Sequence, residues 1–426
     1  MSTVSRLGNR TTSIAELFEA INFGQSEYSP KFFNRFHTEI QPTKPMYISE
    51  YWSGWFDAWN QTGHSVRPAK ELVDNAEKMM LSFNASVNFY PMLGGTSFDF
   101  WAGSENEKLH RRVTTSYDFD TIISEGLQYT EKYHLVRKLY LKLVNVGRMP
   151  KLHLPKVPQI TTLTSYDNVT VTHYLPLEQL LKKCRKFENL TKPVTMEMLN
   201  FGANYGQRYG FILYRVVGKQ VKEYQITGPI RDRGIFLVDS VEVDVLQDAD
   251  NFTTTITQNK WSLNVSSNAH TVDMLVENQG RSNYRKLKLD HARKGIDSSI
   301  LLNGAPAGHL EVYSLDFNAT FMKQLNELNN WVPLIEHQPI TSPAMYRGKL
   351  QVTGQPKDTY IFLERWTKGN VFVNGFNIGR YWKVGPQQTL YIPGPLLKTG
   401  DNIVEIFELH KNGVQLSFVQ NPIWKN

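Results

Sequence analysis

The chain has 426 residues, 41% of them hydrophobic and 20% charged, a composition typical of folded protein and a length that predicts more than one domain. No apolar run reaches the roughly 20 residues that a membrane-spanning helix needs, which excludes a helical membrane protein. The net charge of +7 is dilute over this length, and basic clusters such as residues 182–186 are better explained by solvated faces than by a nucleic-acid site.

The cysteine and histidine content limits the cofactor chemistry. A single cysteine, Cys184, excludes an internal disulfide and a cysteine-based zinc cluster. No two histidines are three or four residues apart, so no helical metal motif is expected, and the chain has neither a Gly-rich phosphate loop nor a Gly-x-Ser-x-Gly elbow. The sequence therefore predicts no metal and no organic cofactor.

The first 150 residues predict alternating strands and helices. Residues 45–50 form a short apolar run that ends in Glu50, Pro68 opens a helical pattern, and residues 86–90 form a second candidate strand. Strand, crossover helix and strand over this distance predict a βαβ unit with parallel strands. A second helix is expected over residues 130–146, where apolar residues recur at helical spacing: Tyr133, Val136, Leu139, Tyr140 and Leu143.

After residue 150 the pattern changes to short strands and turns. A proline-rich linker is expected over residues 151–158, and apolar runs predict strands at 210–216, 235–238, 272–276 and 371–373. Asn-Gly pairs at 303–304, 374–375 and 412–413 predict hairpin turns. We therefore expect an α/β segment followed by two all-β domains of sandwich type. The α/β segment is too short for a parallel barrel of about 250 residues, which leaves a small open sheet or the trailing end of a barrel.

Glu50 is the first candidate for a catalytic residue because it ends a predicted buried strand. Residues 51–59, which follow it, are rich in tryptophan and other aromatic residues. The carboxyl ends of parallel strands host active sites in α/β proteins. Aromatic rings pack on the C–H face of a sugar, and a carboxylate attacks or stabilises an oxocarbenium centre. The alternative is a surface acid beside a packed aromatic cluster, and the pattern alone leaves both open.

Residues 21–149 resemble the final third of the catalytic barrel of the family 35 glycoside hydrolases, the lysosomal-type β-galactosidases. The matching stretches in this part are 21–24, 48–57, 85–90, 94–96 and 115–120. In the β region the resemblance continues through 209–211, 275–284, 366–369 and 373–382. It covers nearly the whole chain beyond residue 20.

The resemblance implies a multidomain α/β plus all-β protein. Its fold would be a partial TIM (β/α)8 barrel followed by two galactose-binding-like β-sandwich (jelly-roll) domains. The expected boundaries are an unmatched leader at 1–20, the C-terminal part of the barrel at 21–150, a linker with the first β strands at 151–194, and sandwiches at 195–300 and 301–426.

The resemblance also implies a function and site residues. Family members are retaining β-galactosidases, which remove terminal β-D-galactose without a metal or cofactor. Glu50 resembles the catalytic nucleophile, Tyr90 a tyrosine that contacts the galactose or the nucleophile, and Trp55 a sugar-facing ring. Phe119 stands where family members often carry a second substrate-contacting tyrosine, and the missing hydroxyl removes one hydrogen bond, worth about 0.5–1.5 kcal/mol.

The acid/base of the family is a glutamate after an asparagine on an earlier barrel strand. The Asn-Glu pairs here are 106–107 and 326–327, and neither is expected on such a strand. The chain is therefore expected to lack the acid/base and to be the C-terminal portion of a longer enzyme, and whether it is inactive alone stays open. Asp57, Asp118 and Asp120 are hypothetical substitutes. A non-catalytic carbohydrate-binding or scaffold protein derived from the same family is the alternative.

The expected partners are β-galactosides, carried on a glycolipid, a glycoprotein glycan or an oligosaccharide. No nucleic acid and no membrane span are expected, and a homo-oligomer stays open. An excess of Asn-x-Ser/Thr triplets predicts a glycoprotein that is lysosomal or secreted, whereas the first residues lack the apolar core of a signal peptide. The triplets begin at Asn9, Asn60, Asn84, Asn168, Asn189, Asn251, Asn264 and Asn318.

Overall fold

A computed structural model describes residues 2–6, 17–106, 110–151, 155–160, 162–201, 205–216, 220–246, 261–265, 269–285, 293–335, 340 and 343–425. The chain forms two compact units. The first comprises residues 1–57, 63–96 and 116–163, and the second comprises 58–62, 97–115 and 164–426. Within the described ranges, no helix has the length and apolar character needed to cross a membrane.

The first unit is built on a sheet of four parallel strands, which are adjacent in the order in which they occur along the chain. The strands are β1 (Ser2–Arg6), β2 (Phe18–Gly24), β3 (Tyr47–Trp52) and β4 (Ser86–Tyr90). The helices are α1 (Pro30–Arg35), which continues as a π-helical turn over Phe36–Ile40, α2 (Ala69–Ser82) and α3 (Glu131–Asn145). A small antiparallel pair joins β5 (Gly95–Thr96) to β8 (Ser116–Tyr117). The expected parallel β3–α2–β4 crossover is confirmed.

Two of these helices, α2 and α3, begin within one residue of the positions that the sequence predicts, whereas α1 was not predicted. Pro68 is in extended conformation directly before α2, where its missing N–H leaves no helical hydrogen bond unmade. Helices α2 and α3 each present an apolar stripe, and the two stripes cover one face of the sheet. The buried members of the two stripes are Leu72, Val73, Ala76 and Met79 on α2, and Val136, Leu139 and Leu143 on α3.

The second unit begins with a β-sandwich of two antiparallel sheets. The larger sheet has the strand order β10 (Arg185–Leu190), β22 (Leu310–Leu315), β11 (Phe211–Val216), β17 (Val272–Glu277), β14 (Arg233–Val238) and β15 (Val241–Leu246). The smaller sheet contains β16 (Trp261–Asn264), β12 (Glu223–Ile226), β20 (Ile300–Leu302) and β21 (Ala305–Pro306). β13 (Ile230–Arg231) pairs with β19 (Gly295–Ile296), and β6 (Ser104–Asn106) pairs with β7 (His110–Arg112) and β18 (Ser282–Arg285).

The six-stranded sheet is covered on both faces, which explains its unbroken apolar strands. Ile212 packs in one core with Tyr224 of the smaller sheet, whereas Leu213 packs in another core with Phe372 and Phe407 of the second sandwich. Because successive side chains point to opposite faces, a strand buried on both sides shows no polar alternation. The short helices α4 (Leu177–Leu181) and α5 (Ala319–Asn326) contribute to the second of these cores.

The second sandwich is one curled sheet. Its strand order is β27 (Phe376–Trp382), β26 (Lys368–Val373), β29 (Gly400–Glu408), β24 (Ala344–Val352), β9 (Val169–Pro176), β30 (Gln415–Val419), β25 (Thr359–Phe362) and β28 (Thr389–Ile392), and β23 (Val332–Pro333) also pairs with β9. Ile378 of β27 and Ile392 of β28, the strands at the two ends of this order, lie in one core, so the sheet folds over itself. The predicted multidomain protein with β-sandwiches is confirmed.

Two of the three Asn-Gly pairs form the predicted hairpins. Asn303 and Asn374 have φ of 51° and the glycines after them φ of 80° and 84°, the pattern of a tight hairpin turn. The prediction for residues 412–413 was wrong, because β29 and β30, which flank this pair, do not pair with each other. Gly413 lies instead against the indole of Trp366, where an added Cβ would be 2.6 Å from Nε1.

Strand pairing differs from the expected domain boundaries at two places. β9, in the segment expected to be linker and first strands, pairs with β24 and β30 of the second sandwich. β22 pairs with β11 in the first sandwich, so the first sandwich extends past the boundary expected at residue 300. Both differences arise because the pairing of a strand depends on packing across the sheet and not on its position along the chain.

Candidate active site

A β-bulge in β3 sets the direction of Glu50. Against β2, Ile21 pairs with Ile48 and the next residue, Asn22, pairs with Glu50, so β3 carries one extra residue at Ser49. The same irregularity occurs against β4. As a result, Ile48 and Tyr51 both lie in the helix-facing core of the unit. Glu50 therefore points to the opposite face, and in a regular strand it would point to the same face as Ile48.

One oxygen of Glu50 is held by a tryptophan. The indole Nε1–H of Trp52 donates to Oε2 of Glu50 at 2.9 Å. The two side chains share a face because they are two residues apart on the strand. A charge-assisted hydrogen bond of this kind fixes the carboxylate plane and leaves Oε1 outside this contact.

Polar side chains link β3 to its two neighbouring strands beside Glu50. The Ser49 hydroxyl donates to Oδ1 of Asn22 on β2, and Nδ2 of Asn88 on β4 donates to the Ser49 carbonyl at 2.9 Å. Tyr90 ends β4, has 39% of its surface exposed and pairs with Trp52 in the strand register. The structure therefore brings Glu50 and Tyr90 to the carboxyl ends of neighbouring strands.

Trp55 occupies an aromatic cluster beside the strand ends. Its ring lies 4.9 Å from that of Trp52, 5.0 Å from that of Phe56 and 5.6 Å from that of Phe119. Trp52, which the sequence interpretation did not select, is the tryptophan that hydrogen-bonds Glu50. The alternation of a strand would have identified it, because residue i+2 shares the face of residue i.

Phe119 forms the base of this cluster. It is 2% exposed, has φ of 61°, and its ring meets that of Tyr90 edge to face at 6.1 Å. Gly54 lies directly against its backbone, where an added Cβ would be 2.1 Å from the Phe119 carbonyl oxygen. The buried Phe119 ring therefore packs against the ring of Tyr90.

The aspartates named as hypothetical acid/base substitutes are all engaged in loop contacts. Asp57 accepts from His64 Nδ1 at 2.6 Å and from the Ser65 N–H at 2.9 Å. Burial alone would lower the pKa of His64, but the hydrogen bond and the charge of Asp57 outweigh it, and the pKa is raised. Asp118 accepts from the backbone N–H of Asp120 and Glu125.

Neither Asn-Glu pair belongs to a strand of the parallel sheet where the structure describes it. Asn106 ends β6, and Asn326 ends α5, both in the second unit. Glu107 lies outside the described residues. Among the residues that the structure covers, no group of three His, Cys, Asp or Glu side chains could hold a metal ion.

Comparison with known proteins identifies the family. The model "Glycosyl hydrolases family 35" matches residues 3–143, "Beta-galactosidase, first all-beta domain" matches 193–316, and "Beta-galactosidase, galactose-binding domain" matches 343–402. The chain belongs to glycosyl hydrolase family 35. The match begins at residue 3, so the expectation that residues 1–20 match nothing in the family was wrong.

Similar family 35 proteins come from animals and bacteria. Human "Beta-galactosidase-1-like protein 2" is 33% identical over 93% of this chain and 59% of its own length. A "Beta-galactosidase" of Xanthomonas manihotis is 30% identical over 89% of the chain and 58% of its own length. The human "Beta-galactosidase" is 30% identical over 92% of this chain and 57% of its own length. The chain thus spans about three fifths of the length of these curated relatives.

Proposed function

We propose that this chain carries the nucleophile of a retaining β-galactosidase and that Glu50 is that nucleophile. The observation that supports the proposal most is the orientation of Glu50, which a bulge turns away from the helix-covered core and whose Oε2 is held by Trp52. Tyr90 contacts the sugar or the nucleophile, and Trp55 contributes a ring for the sugar face. The membership of family 35 and the relatives named β-galactosidase agree with this chemistry.

The reaction uses the two oxygens of Glu50 differently. Oε1 attacks the anomeric carbon of a terminal β-D-galactose while the bond to the leaving oxygen breaks through an oxocarbenium-like transition state. Oε2, hydrogen-bonded to Trp52, becomes the carbonyl oxygen of the galactosyl ester. Water then hydrolyses the ester, so two displacements retain the configuration. The leaving oxygen departs with the electron pair of the broken bond and takes its proton from water, which forgoes the roughly 10²–10⁴-fold help of a positioned acid.

The proposed architecture follows from the same family. Residues 3–143 correspond to the C-terminal part of a TIM barrel, and the two sandwiches are galactose-binding-like domains. The substrates are β-galactosides of glycolipids, glycoprotein glycans or oligosaccharides, and the protein is a lysosomal or secreted glycoprotein.

The test is covalent labelling of the full chain with 2,4-dinitrophenyl 2-deoxy-2-fluoro-β-D-galactoside. Dinitrophenolate leaves without a proton, so labelling does not depend on the acid/base residue. Peptide mapping is expected to find one fluorogalactosyl group on Glu50 and none in Glu50→Gln, whereas Glu39→Gln, an exposed glutamate of the same unit, labels normally. A folded chain that binds galactose but never acquires the label would refute the proposal and support a carbohydrate-binding protein.

A further inference from the structure

A buried lysine contacts the loop after β3 and the turn that contains Phe119 and Asp120. Lys132, in the first turn of α3, is only 3% exposed. Its Nζ donates to the Ser53 carbonyl at 2.9 Å and to the Asp120 carbonyl at 2.6 Å, and it lies 2.5 Å from the Asp120 carboxylate. A lysine is rarely this buried, and here its three N–H donors meet three oxygens.

The Ser53 contact links Lys132 to the ends of β3 and β4. Ser53 directly follows Trp52, its N–H donates to the Tyr90 carbonyl at 3.1 Å, and its hydroxyl donates to the Pro91 carbonyl at 3.1 Å. One residue therefore joins the strand that carries Glu50 to the strand that ends in Tyr90. Lys132 holds the carbonyl of that residue.

The Asp120 contacts link Lys132 to the aromatic base of the site. Phe119 and Asp120 have φ of 61° and 50°, left-handed conformations that non-glycine residues adopt only when their surroundings enforce them. The Asp120 carboxylate also accepts from the Arg67 N–H at 2.5 Å. Lys132 thus fixes the turn that places the Phe119 ring against Tyr90.

We propose that Lys132 is a positioning residue for glycosyl transfer to Glu50. It touches no substrate, and it acts by fixing the loop after β3, the end of β4 and the Phe119 turn relative to one another. The inference rests on the proposed function of Glu50. A misplaced nucleophile loses rate steeply, because the attack requires the reacting atoms in line at close distance.

The first test separates binding from chemistry in the labelling reaction of the full chain. In that reaction the Glu50 Oε1–C1 bond forms as the C1–O bond breaks, and its electron pair leaves with dinitrophenolate. Lys132→Met removes all three polar contacts with little change in volume. We expect at least a tenfold fall in the maximal labelling rate, with half-saturation changed less than threefold. Lys138→Met, an exposed lysine on the same helix, is the control and is expected to label at the normal rate.

A second variant covers the case in which Lys132→Met does not fold. Asp120→Asn removes the charged partner but keeps both carbonyl contacts of Lys132, so a smaller loss of rate is expected. If the two residues act through one contact, the double variant is no slower than Lys132→Met alone. Normal labelling by Lys132→Met, or by a folded Asp120→Asn when Lys132→Met does not fold, would overturn the proposal.

An independent signal distinguishes this inference from the proposed function. The indole N–H of Trp52, assigned through Trp52→Phe in a 15N spectrum, reports on the Glu50 contact without any substrate. Lys132→Met is expected to shift this resonance, whereas the control Lys138→Met is expected to leave it unchanged. If Lys132→Met does not fold, Asp120→Asn takes its place in this measurement. If the wild-type chain is never labelled but the resonance shifts, the proposed function fails while the role of Lys132 in holding this geometry stands. An unchanged resonance refutes that role.

Discussion

Replacement of Glu125 by glutamine tests how burial makes the stability of this protein depend on pH. Glu125 is 5% exposed and accepts hydrogen bonds from Thr96 Oγ1 at 2.5 Å and Ser116 Oγ at 2.8 Å. Burial raises the pKa of its carboxyl to about 8, more than the two hydrogen bonds lower it, and the charge of Asp118 raises it further. In the folded protein Glu125 is therefore protonated near neutral pH.

The sign and size of the effect follow from linkage. The pKa of Glu125 is 4.5 without these interactions and about 8 in the fold. Its stabilising contribution is therefore complete below pH 4.5 and is lost as the pH rises towards 8. At about 1.4 kcal/mol per pKa unit, the loss has a ceiling of about 5 kcal/mol. Burial likewise raises the pKa of Glu408 to about 7 and that of Asp273 to about 6, whereas it lowers the pKa of His410, which acts in the opposite direction.

The assay is urea unfolding of wild type and Glu125→Gln at pH 5 and pH 8. Wild type is expected to be more stable at pH 5. Glutamine resembles the protonated carboxyl in shape but cannot ionise, so the variant is expected to be more stable than wild type at pH 8 and about equal to it at pH 5. Glu131→Gln, an exposed glutamate on α3, is the control and is expected to match wild type at both pH values. A difference between Glu125→Gln and wild type that is the same at both pH values would refute the reasoning.

Three further changes have defined outcomes. Trp52→Phe removes the indole donor to Glu50, a charge-assisted hydrogen bond worth about 1.5–3 kcal/mol, so covalent labelling is expected to slow about 10- to 100-fold; a normal rate would contradict a role for this contact. Lys368→Met leaves the buried Glu277 without the ammonium that lies 2.5 Å from it, and should cost about 3 kcal/mol in urea unfolding; a change below about 1 kcal/mol would contradict this. Asn318→Ala removes the cap of α5, where Oδ1 accepts from a backbone N–H at 2.9 Å, and should cost about 1 kcal/mol, largely restored in Asn318→Asp; equal losses in both variants would show that the cap is not the cause.

Local patterns in the sequence were sufficient for the elements whose stability depends on neighbouring residues. The helix after Pro68 and the hairpin at Asn374 were predicted because helical periodicity and φ above zero are properties of a few consecutive residues. The family was also identified from motifs in the sequence. The hairpin expected at residues 412–413 failed because the flanking strands pair elsewhere, β29 with β24 and β30 with β9.

The sequence by itself determined that a carboxylate, Glu50, ends a strand among aromatic residues. Only the tertiary structure decided which way that carboxylate points, because the bulge at Ser49 appears only when β3 pairs with both neighbouring strands. It also decided that Lys132, which occurs in a helix with no local sign of special function, lies against Ser53 and Asp120. Contacts between residues distant in sequence depend on how the whole chain packs, and no local pattern encodes them.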